Sequence, residues 1–102
     1  MNDNKGAAKI LRDAADYIGE HGWIQGDLED EATGSVCALG AINNVVLNGW
    51  NDCGALVALT AHLGLDPTPG FLHPIAKWND AKERTAEDVI LAFKRTAEEL
   101  ER

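Results

Sequence analysis

The chain has 102 residues, 45% of them hydrophobic, enough for one domain whose core needs no disulfide or metal staples. Its formal net charge of -8 excludes a general affinity for nucleic-acid phosphates or anionic membrane surfaces. Neither direct nucleic-acid binding nor membrane association is therefore expected.

A first helix is predicted from Lys5 to Glu20. Ala7, Leu11, Ala14 and Ile18 recur at helical spacing, with Lys9, Arg12, Asp13, Asp16 and Glu20 on a wet face. Lys9–Asp13 and Arg12–Asp16 stand four apart and can pair. Gly22 is a natural stop, after which Trp23-Ile24 turns the chain back onto the core. Residues 1–34 hold 3 Lys+Arg against 8 Asp+Glu, and Asp27, Glu29, Asp30 and Glu31 form an acidic loop. Solvation is the ordinary role of such a loop; docking a basic partner is the functional one.

Ser35 is the expected cap of a second helix, Val36 to Leu47. Its apolar side chains point in nearly every direction, so it wants burial on several sides and should form the centre of the domain. The longest uncharged stretch, Ala32 to Asn51, has an apolar heart of only Val36 to Leu47, too short for a membrane span. Asn48-Gly49 breaks this element. Asn51 or Asp52 then caps a third helix to Leu63, striped by Leu56, Leu59 and Leu63 and stopped by Gly64. The connection from Leu65 to Asp80 contains Pro67, Pro69, Gly70 and Pro74, with a short turn of helix expected near Ile75–Trp78. In the last helix Thr85 and Asp88 make a capping box, followed by Ala86, Val89, Ile90, Phe93, Ala97 and Leu100 at helical spacing. Lys94–Glu98 and Arg95–Glu99 are further possible pairs. The reading is a single all-α domain over 1–102, a bundle of four to five helices around a buried central one. Trp-Asn-Asp occurs at residues 50–52 and again at 78–80; unlike flanks make this recurring turn chemistry rather than a repeat.

Chemical signatures are sparse. Gly34 to Gly40 has the wrong interval for a phosphate loop and lacks its Lys. Cys37, Cys53, His62 and His73 are too scattered for a zinc site, and the acidic loop lacks the central Gly and final Glu of a calcium loop. No metal and no cofactor is expected. One enzyme reading survives, a cysteine-dependent hydrolase or transferase. Cys37 would lie in the first turn of the second helix, where the dipole lowers a thiol pKa. One of His21, His62 and His73 would be its base, oriented by Asn79 or Asp80. Against it stands packing, since Val36, Ala38 and Leu39 surround Cys37 and Cys is often buried. The two cysteines, with a polar and acidic start at Met1-Asn2-Asp3-Asn4, fit reduced thiols in a cytoplasmic compartment. Trp23, Trp50 and Trp78 each sit at an element boundary, where a large ring seals a core edge. Trp78, beside the Pro-rich connection, is the candidate binding hot spot.

Trp23 with Gln25-Gly26, the run Cys37-Ala38-Leu39-Gly40-Ala41-Ile42, and Trp78-Asn79-Asp80 followed by Arg84-Thr85-Ala86-Glu87-Asp88-Val89-Ile90 resemble an uncharacterised family of small actinobacterial and actinophage proteins. The last segment is the most specific. Members often carry a longer, more basic stretch before the Cys motif, where this chain has its acidic loop. The resemblance implies a helical fold, a bacterial or phage origin and no particular activity.

The leading expectation is a non-enzymatic, cytoplasmic protein-binding domain, in the bacterium or in the host if phage-encoded, acting on a host protein. Contact is assigned to Trp78, Asn79 and Asp80 with Asp27, Glu29, Asp30 and Glu31; homodimerisation stays open. The alternatives are the Cys37 hydrolase and an acidic DNA mimic. The mimic is weakened by carboxylates concentrated in one loop and one helix face.

Overall fold

A computed structural model describes residues 3–46, 52–65 and 74–102. Five helices follow in order: α1 (Asp3–His21), α2 (Ala38–Val45), α3 (Asp52–His62), α4 (Pro74–Asn79) and α5 (Ala86–Glu101). Among the described residues there is no strand, only isolated bridges pairing Val36 with Trp23 and with Glu29. The all-α expectation holds.

Helix α1 buries the stripe its spacing announced: Ala7, Leu11, Ala14 and Ile18, joined by Ala8 and Ala15. It packs on α5, α2 and α3. On its wet face Lys9 pairs with Asp13 at 2.8 Å. Arg12 instead crosses to Glu101 of α5, at 2.5 Å. The long Arg arm reaches a neighbouring helix that periodicity alone cannot see. Gly22, at φ +100, ends the helix with its N–H on the Ile18 carbonyl, a left-handed position that favours glycine.

The start of α2 differs from expectation. Cys37, not Ser35, is the N-cap: its Sγ accepts from the Gly40 N–H. Val36 is extended, with its N–H on the Gly22 carbonyl and its carbonyl taken by the Ile24 N–H, each at 3.0 Å. Those distant partners claim the groups that would begin a helix, and β-branched Val suits extended backbone. Ser35 Oγ donates to the His21 carbonyl. Ala38, Gly40, Ala41 and Ile42 are buried, and α2 touches α1, α3 and α4. Asn43 and Asn44 face water, so enclosure is confined to its first half.

At the end of α3, Gly64 (φ +68) donates to the Ala61 carbonyl and Leu65 to the Thr60 carbonyl. This paired arrangement is a Schellman close. Leu59 is buried, with Leu56 and Leu63 packed at the core edge. Pro74 opens α4, where a missing N–H costs nothing. Trp50 and residues 66–73 of the Pro-rich connection, His73 among them, lie outside the described residues.

In α5 the capping box is complete: Thr85 Oγ1 accepts from the Asp88 N–H, and Asp88 returns a carboxylate to the Thr85 N–H, both at 3.1 Å. Val89, Phe93 and Ala97 are buried, and Ile90 and Leu100 are partly so. Glu99 turns to His62 of α3 rather than to Arg95. Thr85→Ala should cost about 1 kcal/mol in denaturant melts through loss of the cap. An unchanged midpoint would show that water replaces the hydroxyl.

Candidate functional site

The residues singled out by sequence fall in two adjoining places. The first is built around Asn79, the last residue of α4, which is fully buried. Its Oδ1 accepts from Trp23 Nε1 at 2.6 Å and from the Ala38 N–H at 2.9 Å. Its Nδ2 donates to the Ile24 carbonyl and to Asp80 Oδ1, and its own carbonyl accepts from Gln25 Nε2 at 3.0 Å. The amide's hydrogen-bonding capacity is spent inside the protein. Ala38 opens α2, so Asn79 caps that helix from a remote one, beside the local cap from Cys37. Asp80 Oδ1 accepts from the Gly26 N–H, and Gln25 Nε2 also reaches the Ala81 carbonyl. The segment 23–26 is thus stitched to 79–81.

This corrects one assignment. Asn79, expected at a partner surface, has no exposed surface and acts as a positioning residue. Asp80 is exposed. Trp78 is half-buried against the core, and the Arg84 guanidinium lies 4.1 Å above its ring. Gln25, Gly26 and Arg84 enter the reading of the sequence only within the resembling segments, and Gly40 otherwise only as one end of the rejected phosphate-loop interval.

The second place is the acidic loop. Val36 runs between its two arms, and the Leu28 carbonyl accepts from the Cys37 N–H at 3.2 Å. The Asp30 N–H donates to the Ser35 carbonyl and the Gly34 N–H to the Asp30 carbonyl, while Asp30 Oδ1 takes the Ala32 N–H in an Asx turn. Asn44 Nδ2 donates to Glu29. Buried Gly40 lets the Leu28 carbonyl press against α2, in space a Cβ would occupy. Asp27, Glu29 and Glu31 remain exposed and Asp30 is half-buried. Leu28, between the first two, is 50% exposed.

Cys37 sits beneath this loop at 4% exposure. Two effects compete on its thiol. Burial pushes its pKa up and is the larger; backbone hydrogen bonding at Gly40 and Leu39 pulls it down, and the charge of Asp80 adds to the rise. The helix start that would activate an exposed thiol is outweighed here. His21 stacks on Tyr17 with ring centroids 4.0 Å apart, and His62 Nδ1 lies 2.6 Å from Glu99 Oε1. Among the described residues no cluster of metal-ligating side chains forms. None of the described helices is long and apolar enough to cross a membrane.

Cys37 should therefore react with thiol reagents at neutral pH far more slowly than an exposed thiol. The folded thiol holds its proton to higher pH than the unfolded one. Its contribution to stability is present below the ordinary thiol pKa and fades as pH rises through and above it. Rapid modification with an acidic thiol titration would overturn this and revive the hydrolase reading.

The architecture is that of a small helical domain with an acidic loop pinned to its centre. The chain belongs to a family of unknown function (DUF6197), matched over residues 3–99. No curated protein and no solved structure matches it.

Proposed function

We propose that this protein is a non-enzymatic protein-binding domain whose acidic loop docks a basic segment of a partner. The observation that carries this reading is the hydrogen-bonded seating of the loop on the start of α2. The loop backbone is held by Cys37 and Ser35 and stitched at its base to Asp80, while Asp27, Glu29 and Glu31 are exposed around half-exposed Leu28, with Glu29 accepting from Asn44. A preordered loop loses less entropy on docking. Its charge speeds encounter with a basic surface, and the leucine supplies an apolar contact. Trp78 and exposed Asp80 border the same base and extend the surface, with Asn79 supporting them from below. The sequence resemblance to actinobacterial and actinophage proteins supports a bacterial cytoplasmic setting, with a host protein as the partner if the chain is phage-encoded.

The test compares the wild-type chain with a variant carrying Asp27→Asn, Glu29→Gln and Glu31→Gln in quantitative capture from an actinobacterial lysate. A basic protein held by the wild type should be lost from the variant at unchanged melting temperature. With that partner in hand, association should slow and lose most of its salt dependence. Equal capture by both proteins sinks the proposal. Trp78→Ala, followed for melting and binding together, separates a contact residue from a core seal. Loss of about 2 kcal/mol of affinity with the fold intact marks contact.

A further inference from the structure

Arg84, in the connection between α4 and α5, is held at several points. Its Nε donates to the Trp78 carbonyl at 2.9 Å. Its Cζ stacks 4.1 Å above the Trp78 ring. The backbone beneath is closed as well, with the Arg84 N–H on the Ala81 carbonyl at 3.0 Å and the Ala81 N–H on the Trp78 carbonyl at 3.3 Å. A guanidinium has five N–H donors. Only Nε–H is engaged here, and the two Nη groups make no hydrogen bond or ion pair among the described residues. What sets Arg84 apart from the other described cations without an ion pair is that its guanidinium plane is fixed by the Trp78 carbonyl and ring. Arg84 lines an open pocket together with Ala81, Lys82 and Glu83.

We propose that Arg84, aided by Lys82, forms an oxyanion-binding site that takes a phosphate or carboxylate group on the free Nη edge of its guanidinium. Stacking and the Nε bond fix the plane of the fork before a ligand arrives, so little side-chain entropy remains to be lost. Two Nη groups side by side match two oxygens of one anion, the geometry in which Arg differs from Lys. Lys82, exposed at the pocket, adds a second positive charge without a fixed direction. Glu83 opposes it, so the site should be weak and selective for anions that outweigh one nearby carboxylate. This site does not depend on the acidic-loop reading, because it has the opposite charge.

The test is 1H–15N NMR of the full chain, titrated with inorganic phosphate and separately with acetate, at ionic strength held constant with chloride. The Arg84 Nε–Hε signal and the backbone amides of residues 82–85 should shift and saturate, with a dissociation constant on the order of 1–10 mM. Arg84→Lys keeps the charge but loses the fork, and should weaken binding about tenfold. Lys82→Ala, which leaves the Trp78 stack in place, should weaken it severalfold, and Glu83→Gln should tighten it. Saturation by phosphate alone assigns a phosphate ligand; saturation by both assigns a general oxyanion site; saturation by acetate alone assigns a carboxylate. Linear shifts matched by chloride overturn the proposal. So does a Lys82→Ala protein, folded by its melting curve, that binds phosphate as the wild type does together with an Arg84→Lys protein that also does.

Discussion

Asn79→Ala is expected to cost about 3–5 kcal/mol of stability, a large share of the 5–15 kcal/mol typical of a small domain. The substitution strips the partner from the Ala38 N–H, which is buried, and from Trp23 Nε1, which is partly so. A buried donor left unpaired costs about 1–3 kcal/mol. The Ile24 carbonyl loses its donor as well. The vacated space is polar, so water can recover part of the loss, which sets the lower bound. Asn79→Asp is the informative companion. It keeps an acceptor for both donors, but turns a carboxylate oxygen toward the Ile24 carbonyl and Asp80, so it should also destabilise. Urea melts measure both. An Asn79→Ala loss below about 1 kcal/mol would show that the network is decorative and that α2 is capped well enough by Cys37.

Gly40→Ala is expected to destabilise the fold by about 2–4 kcal/mol, although alanine normally improves a helix. At Gly40 an added methyl would run into the Leu28 carbonyl, with Val36 Cβ 3.4 Å away on another side. The carbonyl cannot yield cheaply, and Val36, at contact distance, leaves the methyl no room to move aside. The Leu28 carbonyl is backbone and holds the Cys37 N–H, and Val36 is fully buried. The control is Gly19→Ala, in α1, where nothing stands within 4 Å of the new carbon. There only propensity changes, and up to about 1 kcal/mol of stabilisation is expected. Hydrogen exchange at the Cys37 amide should rise in the Gly40 variant and not in the control. Equal stabilisation by both substitutions would mean that the acidic loop is not seated on α2, and would remove the observation on which the docking proposal rests.

Much of the architecture is legible locally. The stripes of α1 and α5, the Thr85–Asp88 box, the Gly22 and Gly64 stops and the short helix opened by Pro74 each depend on residues within a few positions of one another. Helical period and terminal hydrogen bonding operate at that range. The candidate site was less legible. The acidic residues are plain in the sequence, yet Leu28 among them and Gly40 beneath them gain meaning only from the packing of loop on helix.

By itself, then, the sequence determined the helical class, the stop of α1 at Gly22, the capped start of α5, and the excess of negative charge gathered in one loop. Tertiary structure decided where α2 starts, because Val36 gives its backbone groups to Gly22 and Ile24 instead of to a helix. It turned Asn79 from an expected contact residue into a buried cap, and it sent Arg12 to Glu101 rather than Asp16. The local alternatives given up at the start of α2 and at Arg12, a serine cap and an i,i+4 ion pair, are each worth only about 1 kcal/mol or less. A partner far along the chain tips such a balance, and it exists only after the helices have packed.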